Sequence, residues 1–306
     1  MRFYYYLCSL NIKERIKKVF KISDEQIKQM YLEGNSLNDI AKVAQDTKGL
    51  MALRNRLHEL GVSTSVSLSR YKYKLSKAFK RYKLDEHVFD NIDTEEKAYW
   101  LGFLMADGYN HETKTCVALR LQARDKEILE KYKLFLKTDV PIYTFTRVTS
   151  VNHLVKQYCE VNICSPWFSD SLAKLGCKQG KTESLTFPEK VPKKLYNHFI
   201  RGYFDGDGCI SVKIRKDGRK RNGKSMRYQF TIVGKPNFLQ KVQAIICKAT
   251  KRQELPLKKC KSPIIECLHY TGRNRVVEVM NYLYKNATIY LKRKHDLYLQ
   301  YCIPAE

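Results

Sequence analysis

Apolar and polar residues alternate in several short segments of the chain after about residue 90. The segments "CVALRLQ" (116–122) and "YQFTIV" (228–233) have the two-residue period of a strand with one buried face. Each is followed by a short turn and an amphipathic helix, and later by a second strand, "YCEVNIC" (158–164) or "IIECLHY" (264–270). The order helix, hairpin, helix, hairpin, helix is therefore predicted twice, which indicates an α+β protein with antiparallel sheets.

Two apolar helical segments end in the same dipeptide. "YWLGFLMADG" (99–108) and "FIRGYFDGDG" (199–208) both finish in Asp-Gly, about 100 residues apart, and matching strands follow each copy. This pattern indicates a duplicated unit. Because an aspartate at a helix C-terminus opposes the helix dipole by about 0.3–1 kcal/mol, we expect a cation near Asp107 and Asp207.

Small residues lie four positions apart on one face of each of these helices. The pairs are Gly102 with Ala106 and Gly202 with Gly206. Such spacing lets two helix backbones approach closely, so the helices are predicted to pack together and to bring Asp107 and Asp207 side by side. Two adjacent carboxylates need a cation, and hard oxygen ligands suit Mg²⁺. The sequence therefore predicts a divalent metal site where the two helices end.

The two segments resemble the motif of the LAGLIDADG homing endonucleases, in the single-chain form with two motif copies. The copies are residues 100–108 and 200–208, and the resemblance covers about residues 94–303. It implies two pseudo-symmetric αββαββα repeats that form a DNA-binding saddle. It also implies an endonuclease dependent on Mg²⁺ or another divalent metal, which hydrolyses both DNA strands across the minor groove and leaves short 3′ overhangs.

The resemblance further implies which residues carry the chemistry. The metal ligands would be the carboxylates of Asp107 and Asp207 and the carbonyls of Ala106 and Gly206. The family keeps a lysine near the basic element that ends each repeat, which corresponds here to Lys181 and Lys294. Their implied role is stabilisation of transition-state charge. Lys178 and Arg293 are the neighbouring alternatives for these two positions.

Two positions depart from the family motif. Met105 stands where the first acidic residue belongs, whereas the second copy keeps Asp205. That position is not a metal ligand in the family, so the departure leaves the predicted metal site intact. Arg201 replaces a small residue, and we expect it to lie off the helix interface.

The predicted strands have one apolar and one polar face, and the polar faces hold the candidate DNA contacts. In the second repeat these are Ser211, Lys213, Arg215, Arg227, Gln229 and Thr231, with Arg219 and Arg221 at the hairpin tip. In the first repeat they are Arg120 and Gln122, with Arg124 just beyond. Arginine pairs with guanine and glutamine with adenine in the major groove, where two-stranded ribbons fit. A solvated sheet face is the alternative.

Charge supports a nucleic-acid partner. The 306 residues include 57 Lys and Arg against 31 Asp and Glu, a net charge of +26, which indicates a long polyanion as partner. No apolar run reaches the roughly 18 residues of a membrane span. The N-terminal "MRFYYYLCSL" lacks the layout of a signal peptide. We therefore expect neither a membrane partner nor secretion.

The cysteines give no metal or disulfide pattern. Ten of them are scattered without a C-x-x-C pair, and the seven histidines lack zinc-finger spacing. Thiols such as Cys116, Cys164 and Cys267 are therefore expected to be small core residues in a reducing compartment. That compartment would be the cytoplasm, or an organelle in a eukaryote.

The N-terminal region forms a separate helical pattern. Ser23 and Gln26 have capping-box spacing, the pattern breaks at Gly34, and a third helical stretch ends at Gly61. The segment resembles helix-turn-helix modules, with Arg54 and Arg56 as candidate major-groove contacts. A small helical cap with solvated charges is the alternative. The basic, aromatic segment 69–84 is interpreted as a phosphate-binding linker or as a solvated basic helix.

These observations predict four regions. They are an all-α N-terminal DNA-binding domain (1–68), a basic linker (69–93), a first repeat (94–188) and a second repeat (189–306). The favoured function is a monomeric, site-specific endonuclease acting on double-stranded DNA. The alternatives are a non-catalytic LAGLIDADG-like DNA-binding regulator and a maturase that acts on intron RNA. Both motif aspartates are present, which favours the enzyme, and an intein is disfavoured because the terminal splice residues are absent.

Overall fold

The computed structural model places two compact units along the chain. It describes residues 21–33, 35, 37–44, 50–62, 82–111, 115–148, 154–180, 184–216 and 223–303. The units comprise residues 1–81 and 82–306. The finer domain boundaries at residues 68, 93 and 188 stay predictions.

The N-terminal unit contains helices α1 (Asp24–Leu32), α2 (Leu37–Val43) and α3 (Leu50–Glu59). Ser23 begins α1 with the predicted capping box, because its hydroxyl accepts from the Gln26 N–H while the Gln26 side chain accepts from the Ser23 N–H. The core of the unit consists of Ile27, Tyr31, Ile40, Leu53, Leu57 and Val62. The helical pattern is confirmed, whereas the helix-turn-helix assignment stays a prediction.

The second unit contains the predicted order of elements twice. The first repeat consists of α4 (Glu95–Asp107), β1 (Gly108–His111), β2 (Cys116–Gln122), α5 (Lys126–Phe135), β3 (Tyr143–Val148), β4 (Val155–Cys164) and α6 (Pro166–Lys174). The second repeat consists of α7 (Tyr196–Asp207), β5 (Gly208–Lys216), β6 (Lys224–Gly234), α8 (Pro236–Thr250), β7 (Lys258–Lys259), β8 (Glu266–Thr271) and α9 (Arg273–Tyr284), and α10 (Lys292–Cys302) follows it.

Each repeat contains one antiparallel four-stranded sheet. The strand orders are β1-β2-β4-β3 and β5-β6-β8-β7. Equivalent residues occupy equivalent ladder positions, since Gly108 pairs with Leu119 in one sheet and Gly208 pairs with Ile232 in the other. The α+β class and the αββαββα duplication are therefore confirmed.

One apolar core connects both repeats. The helix α4 is buried continuously from Ala98 to Ala106, which explains why its sequence is apolar on all sides. Alternate strand residues point into this core, among them Leu119 on β2 and Phe230 on β6. Within the described ranges, no helix is both long and apolar enough to cross a lipid bilayer.

Cys116 and Cys164 form a disulfide between β2 and β4, so the prediction that both are reduced core thiols is wrong. The two residues lie directly opposite each other in the antiparallel ladder. The pattern of one strand cannot reveal this partner, because it lies 48 residues away along the chain. Cys267 is a partly buried free thiol.

Candidate functional site

The helices α4 and α7 contact each other through their backbones. A Cβ atom added to Gly102 would overlap the Phe199 carbonyl, and one added to Gly202 would overlap the Tyr99 carbonyl. Any residue larger than glycine would therefore force the helices apart. The close packing predicted from the small residues is present.

Both helices end at their motif aspartates, and a strand begins at the next residue. Asp107 is the last residue of α4 and Asp207 the last of α7. Gly108 and Gly208 adopt extended conformations while their N–H groups donate to the carbonyls four residues earlier. A side chain at either glycine would overlap the last helical turn. The Asp-Gly dipeptide thus lets each helix change directly into a strand.

The two aspartates come together at adjacent helix ends. A Cβ atom added to Gly206 would overlap the Ala106 Cβ and would lie 3.3 Å from Asp107 Oδ2. Asp207 follows Gly206 directly, and the charges of both aspartates act on the same neighbouring phenol, that of Tyr203. The structure therefore brings together Asp107, Asp207 and the backbone of Ala106 and Gly206, as the sequence predicts.

The Tyr203 hydroxyl is a member of this cluster that sequence analysis missed. Its single proton is shared between the Val233 carbonyl, 3.1 Å away, and the Asp207 carboxylate. Burial raises the pKa of Tyr203, and the charges of Asp207 and Asp107 raise it further. The phenol therefore stays protonated beside the carboxylates. Its position one helical turn before Asp207 was the available signal.

Lys294, one of the two predicted catalytic lysines, is buried at the end of α7. Its ammonium donates to the carbonyls of Phe204, Asp205 (2.9 Å) and Gly208 (2.6 Å). Burial lowers the pKa of Lys294 to about 8, against the opposing charges of Asp205 and Asp107. The cation expected near the helix ends is present. Because an ammonium has three N–H groups, all of them are occupied by backbone carbonyls, and a direct role towards phosphate stays a prediction.

The buried Asp205 carboxylate connects the end of α7 to neighbouring elements. Its hydrogen-bond donors are the hydroxyls of Tyr99 (2.9 Å) and Tyr284 and the N–H of Leu291 (2.7 Å). Burial raises the pKa of Asp205, and the Lys294 charge and these hydrogen bonds oppose that shift. The equivalent residue of α4 is the buried Met105. The two helix ends are therefore supported by different chemistry.

Arg201 is fully buried against α4, so the expectation that it lies off the helix interface is wrong. Its guanidinium donates to the Glu95 carboxylate of α4 at 2.6 Å and lies over the Tyr99 ring at 5.4 Å. It also donates to the carbonyls of Leu283 and Ile289. The helical period predicts on which face of α7 Arg201 lies. It does not predict the groups that accept hydrogen bonds from its guanidinium, because they belong to distant parts of the chain.

Six predicted DNA-contact residues of the second repeat, those within β5 and β6, lie on one face of the sheet, the side turned away from the core, which is called the second open face. Across the ladder, Ser211 lies opposite Gln229, Lys213 opposite Arg227, Arg215 opposite Ser225 and Thr231 opposite Cys209. Residues at alternate positions, such as Ile210 and Ile232, are buried. The predicted alternation is present, and contact with DNA stays a prediction.

The corresponding surface of the first repeat is the first open face, formed by alternate residues of three strands. These are Ala118, Arg120 and Gln122 on β2, Tyr158, Glu160 and Asn162 on β4, and Tyr143, Phe145 and Arg147 on β3. Arg124 is exposed in the short 3-10 turn after β2. Arg120 is bonded to Glu160, a residue that sequence analysis did not single out. The signal was a carboxylate in line with the basic Lys156 on the polar face of β4.

Three predicted site residues, Lys181, Arg219 and Arg221, lie outside the described residues. Of the two alternatives to the predicted lysines, Lys178 is exposed. Arg293 donates to Asp125 at 3.1 Å and so connects α10 to the first repeat.

In the N-terminal unit, both candidate contacts lie on α3. Arg56 is bonded to Asp24 (2.8 Å) and to Glu59 (2.6 Å) within that unit. Its guanidinium therefore stabilises the packing of α1 against α3. Arg54 is partly buried. A contact of either residue with DNA stays a prediction.

No family model matches the sequence. Two curated proteins of Methanocaldococcus jannaschii are similar to part of it. Reverse gyrase is 28% identical over 157 residues, which are 50% of this chain and 8% of that protein. A glutamine–fructose-6-phosphate aminotransferase is 24% identical over 130 residues, 42% of this chain and 12% of that protein. The chain thus spans only a small part of the curated relatives that it matches.

Several solved structures are similar in fold. The LAGLIDADG homing endonuclease I-LtrWI bound to target DNA has a TM-score of 0.45 at 15% identity, over 68% of this chain and 90% of that one. Meganuclease I-SmaMI bound to uncleaveable DNA has a TM-score of 0.44 at 13% sequence identity, and the match covers 67% of this chain and 87% of that one. LAGLIDADG meganuclease I-AabMI bound to uncleaved DNA has a TM-score of 0.44 at 14% sequence identity, and the match covers 67% of this chain and 88% of that one. At such identities the likeness concerns the fold alone.

Proposed function

We propose that the chain is a divalent-metal-dependent, site-specific DNA endonuclease that cleaves both strands. The observation that supports this most is the convergence of Asp107 and Asp207 at the adjacent ends of α4 and α7. Each carboxylate opposes the dipole of its own helix, and the two repel each other. A bound divalent cation relieves both unfavourable interactions, which gives a reason for placing the two aspartates together.

The groups at the helix ends fit a magnesium-type site. Within the described residues, no three or more His, Cys, Asp and Glu side chains are grouped to hold a metal, so the protein would supply only two carboxylates here. The carbonyls of Ala106 and Gly206 add hard oxygen donors, and Mg²⁺ commonly keeps waters and substrate phosphates as its other ligands. When bound, the metal would lower the pKa of a water and stabilise charge on a phosphate.

Other residues hold these ligands in place. Lys294 bonds to carbonyls on both sides of Asp207, those of Asp205 and Gly208, and so fixes the backbone that carries the ligand. The Tyr203 hydroxyl is hydrogen-bonded to Asp207 and keeps its proton because the pKa of Tyr203 is raised. The orientation of Asp207 is therefore determined before any substrate binds.

The open faces of the two sheets supply the DNA-binding part of the proposal. Arg120 on the first face and Lys213, Arg215 and Arg227 on the second are cationic, and the chain as a whole carries +26. Each sheet would lie in the major groove, while the helix ends address the minor groove between the two sites. The minor groove is only about 6 Å wide, so two aspartates at the ends of helices in contact would be close enough to address both strands across it.

A plasmid-library cleavage assay with and without Mg²⁺ tests the proposal. We expect double-strand cleavage that requires the metal and that is limited to plasmids carrying one group of related target sequences. Asp107→Asn and Asp207→Asn should each reduce cleavage by about 100-fold or more while site-specific binding remains. Asp296→Asn is the matched control, because Asp296 is an exposed carboxylate whose ion-pair partner among the described residues is Lys292. Cleavage by either active-site variant at the rate of the unaltered chain contradicts the shared metal site. Specific binding without cleavage by the unaltered chain favours the non-catalytic regulator instead.

A further inference from the structure

An ion pair stands on the first open face, where the proposed function places DNA. Arg120 on β2 lies directly opposite Glu160 on β4. Arg120 Nε donates to Glu160 Oε2 at 2.6 Å, and Nη2 contacts the same oxygen. A carboxylate on a surface that meets polyanionic DNA is repelled by phosphates, so its presence at this position calls for a specific partner.

The Arg120 side chain packs on a neighbouring aromatic ring. The Arg120 guanidinium lies over the Phe145 ring at 5.2 Å, and the Arg147 guanidinium lies over the same ring at 5.3 Å. The Arg120 side chain is 39% exposed and that of Glu160 is 16% exposed, so the carboxylate is recessed and the guanidinium is accessible. These contacts restrict the Arg120 side chain, so it loses less conformational entropy when it binds a planar partner.

Part of the hydrogen-bonding capacity of the pair is unused. The two nitrogens of Arg120 that contact Glu160, Nε and Nη2, both approach the same oxygen, Oε2. Among the described residues, Glu160 Oε1 accepts no hydrogen bond and Arg120 Nη1 donates none. The pair therefore presents a donor edge and an acceptor atom side by side on the same surface.

The fold does not require this pair. Leu119 and Ile232 are equivalent, because they pair with the equivalent glycines Gly108 and Gly208. The next residue along each strand is Arg120 in the first sheet and Val233 in the second, so these two positions are also equivalent. Val233 lies opposite Cys267, so an uncharged pair occupies the equivalent position of the second sheet. Because the second sheet forms with an uncharged pair at this position, the Arg120–Glu160 ion pair is not needed to build the sheet.

We infer that Arg120 and Glu160 together recognise one G·C base pair in the major groove, an inference that rests on the proposed function. Guanine presents the O6 and N7 acceptors to arginine, and cytosine of the same pair presents its N4 donor to a carboxylate. The donor edge of Arg120 and the Oε1 atom of Glu160 match these groups. Adenine offers a donor beside its N7 acceptor, and the reversed C·G pair exchanges the donor and acceptor positions, so both mismatch the pair.

The test is selection of duplexes from a randomised library by the full chain, in the absence of divalent metal so that bound sites stay intact. The unaltered chain should enrich sites with a G·C pair at one fixed position. Glu160→Gln should reduce the preference for that base pair by about 5- to 150-fold and leave the other positions unchanged. Arg120→Met should lose the preference at the same position.

Glu278→Gln is the matched control. It breaks the Arg252–Glu278 pair, in which the hydrogen bonds are 2.7 and 2.8 Å. This pair joins the segment just after α8 to the helix α9 and does not lie on a sheet face. This variant should keep every base preference. If Glu160→Gln changes affinity for all sites equally, or changes nothing, the inference is wrong while the proposed function stands. A chain that enriches no sequence contradicts both. Denaturation midpoints of the variants close to that of the parent show that base preference, not folding, is being measured.

Discussion

Replacing Gly202 by alanine tests the backbone contact that positions the two aspartates. The added Cβ would overlap the Tyr99 carbonyl oxygen and would lie 2.8 Å from the Tyr99 carbonyl carbon and 3.0 Å from the Phe103 nitrogen. These atoms belong to the backbone of α4, so none of them can rotate away. The helices must separate, and the carboxylate ends of α4 and α7 must separate with them.

The expected change in stability is the difference between two effects. Overpacking a close contact typically costs about 1–3 kcal/mol, and an immovable backbone neighbour favours the upper end, about 3 kcal/mol. Alanine is about 1 kcal/mol better than glycine inside a helix. We therefore expect Gly202→Ala to lower the free energy of unfolding by about 2 kcal/mol, despite the higher helix propensity of alanine.

Urea denaturation of the full chain measures this loss, with Gly102→Ala and the double variant alongside. Gly102 faces the Phe199 carbonyl in the same helix contact. Once one alanine has separated the helices, the second finds more room, so the double variant should lose less stability than the sum of the single losses. A loss below about 0.5 kcal/mol for Gly202→Ala, or strictly additive losses, would refute the backbone contact.

Three further perturbations test other parts of the structure. Glu95→Gln should lower the free energy of unfolding by about 2–3 kcal/mol in urea denaturation, because it leaves the buried Arg201 without its carboxylate; Glu96→Gln, an exposed neighbour, should change little. Burial raises the pKa of Tyr99, Tyr132 and Tyr284, whereas unfolded tyrosines ionise near pH 10, so stability should be complete below about pH 10 and fall as pH rises further. Ultraviolet titration that shows all tyrosines ionising near pH 10 in the folded chain would contradict this. Reducing the Cys116–Cys164 disulfide, which closes a loop with a separation of 48 residues, should cost about 4 kcal/mol by the chain-entropy estimate. Denaturation with and without reductant measures that cost, and a Cys116→Ser/Cys164→Ser variant should not respond to reductant.

Features set by neighbouring residues could be predicted from the sequence alone. The alternation in residues 116–122 and 228–233 follows from the two-residue period of a strand, and both segments are strands with the predicted buried faces. The contact between α4 and α7 follows from the size of Gly102 and Gly202. Asp107 and Asp207 converge because each is the last residue of a helix in that contact. Period, side-chain size and position relative to a helix end are all local properties, so they can be recognised without the fold.

Features that depend on a distant partner required the tertiary structure. The pattern around Arg201 contains nothing about Glu95, which lies 106 residues earlier and accepts its hydrogen bond. Cys116 resembles a core thiol until β4 places Cys164 opposite it. Lys294 was one basic residue among 57, and only the packing of α10 against the end of α7 selects it for three backbone carbonyls. A sequence shows which side chains are able to bond, whereas the fold determines which of them are brought within bonding distance.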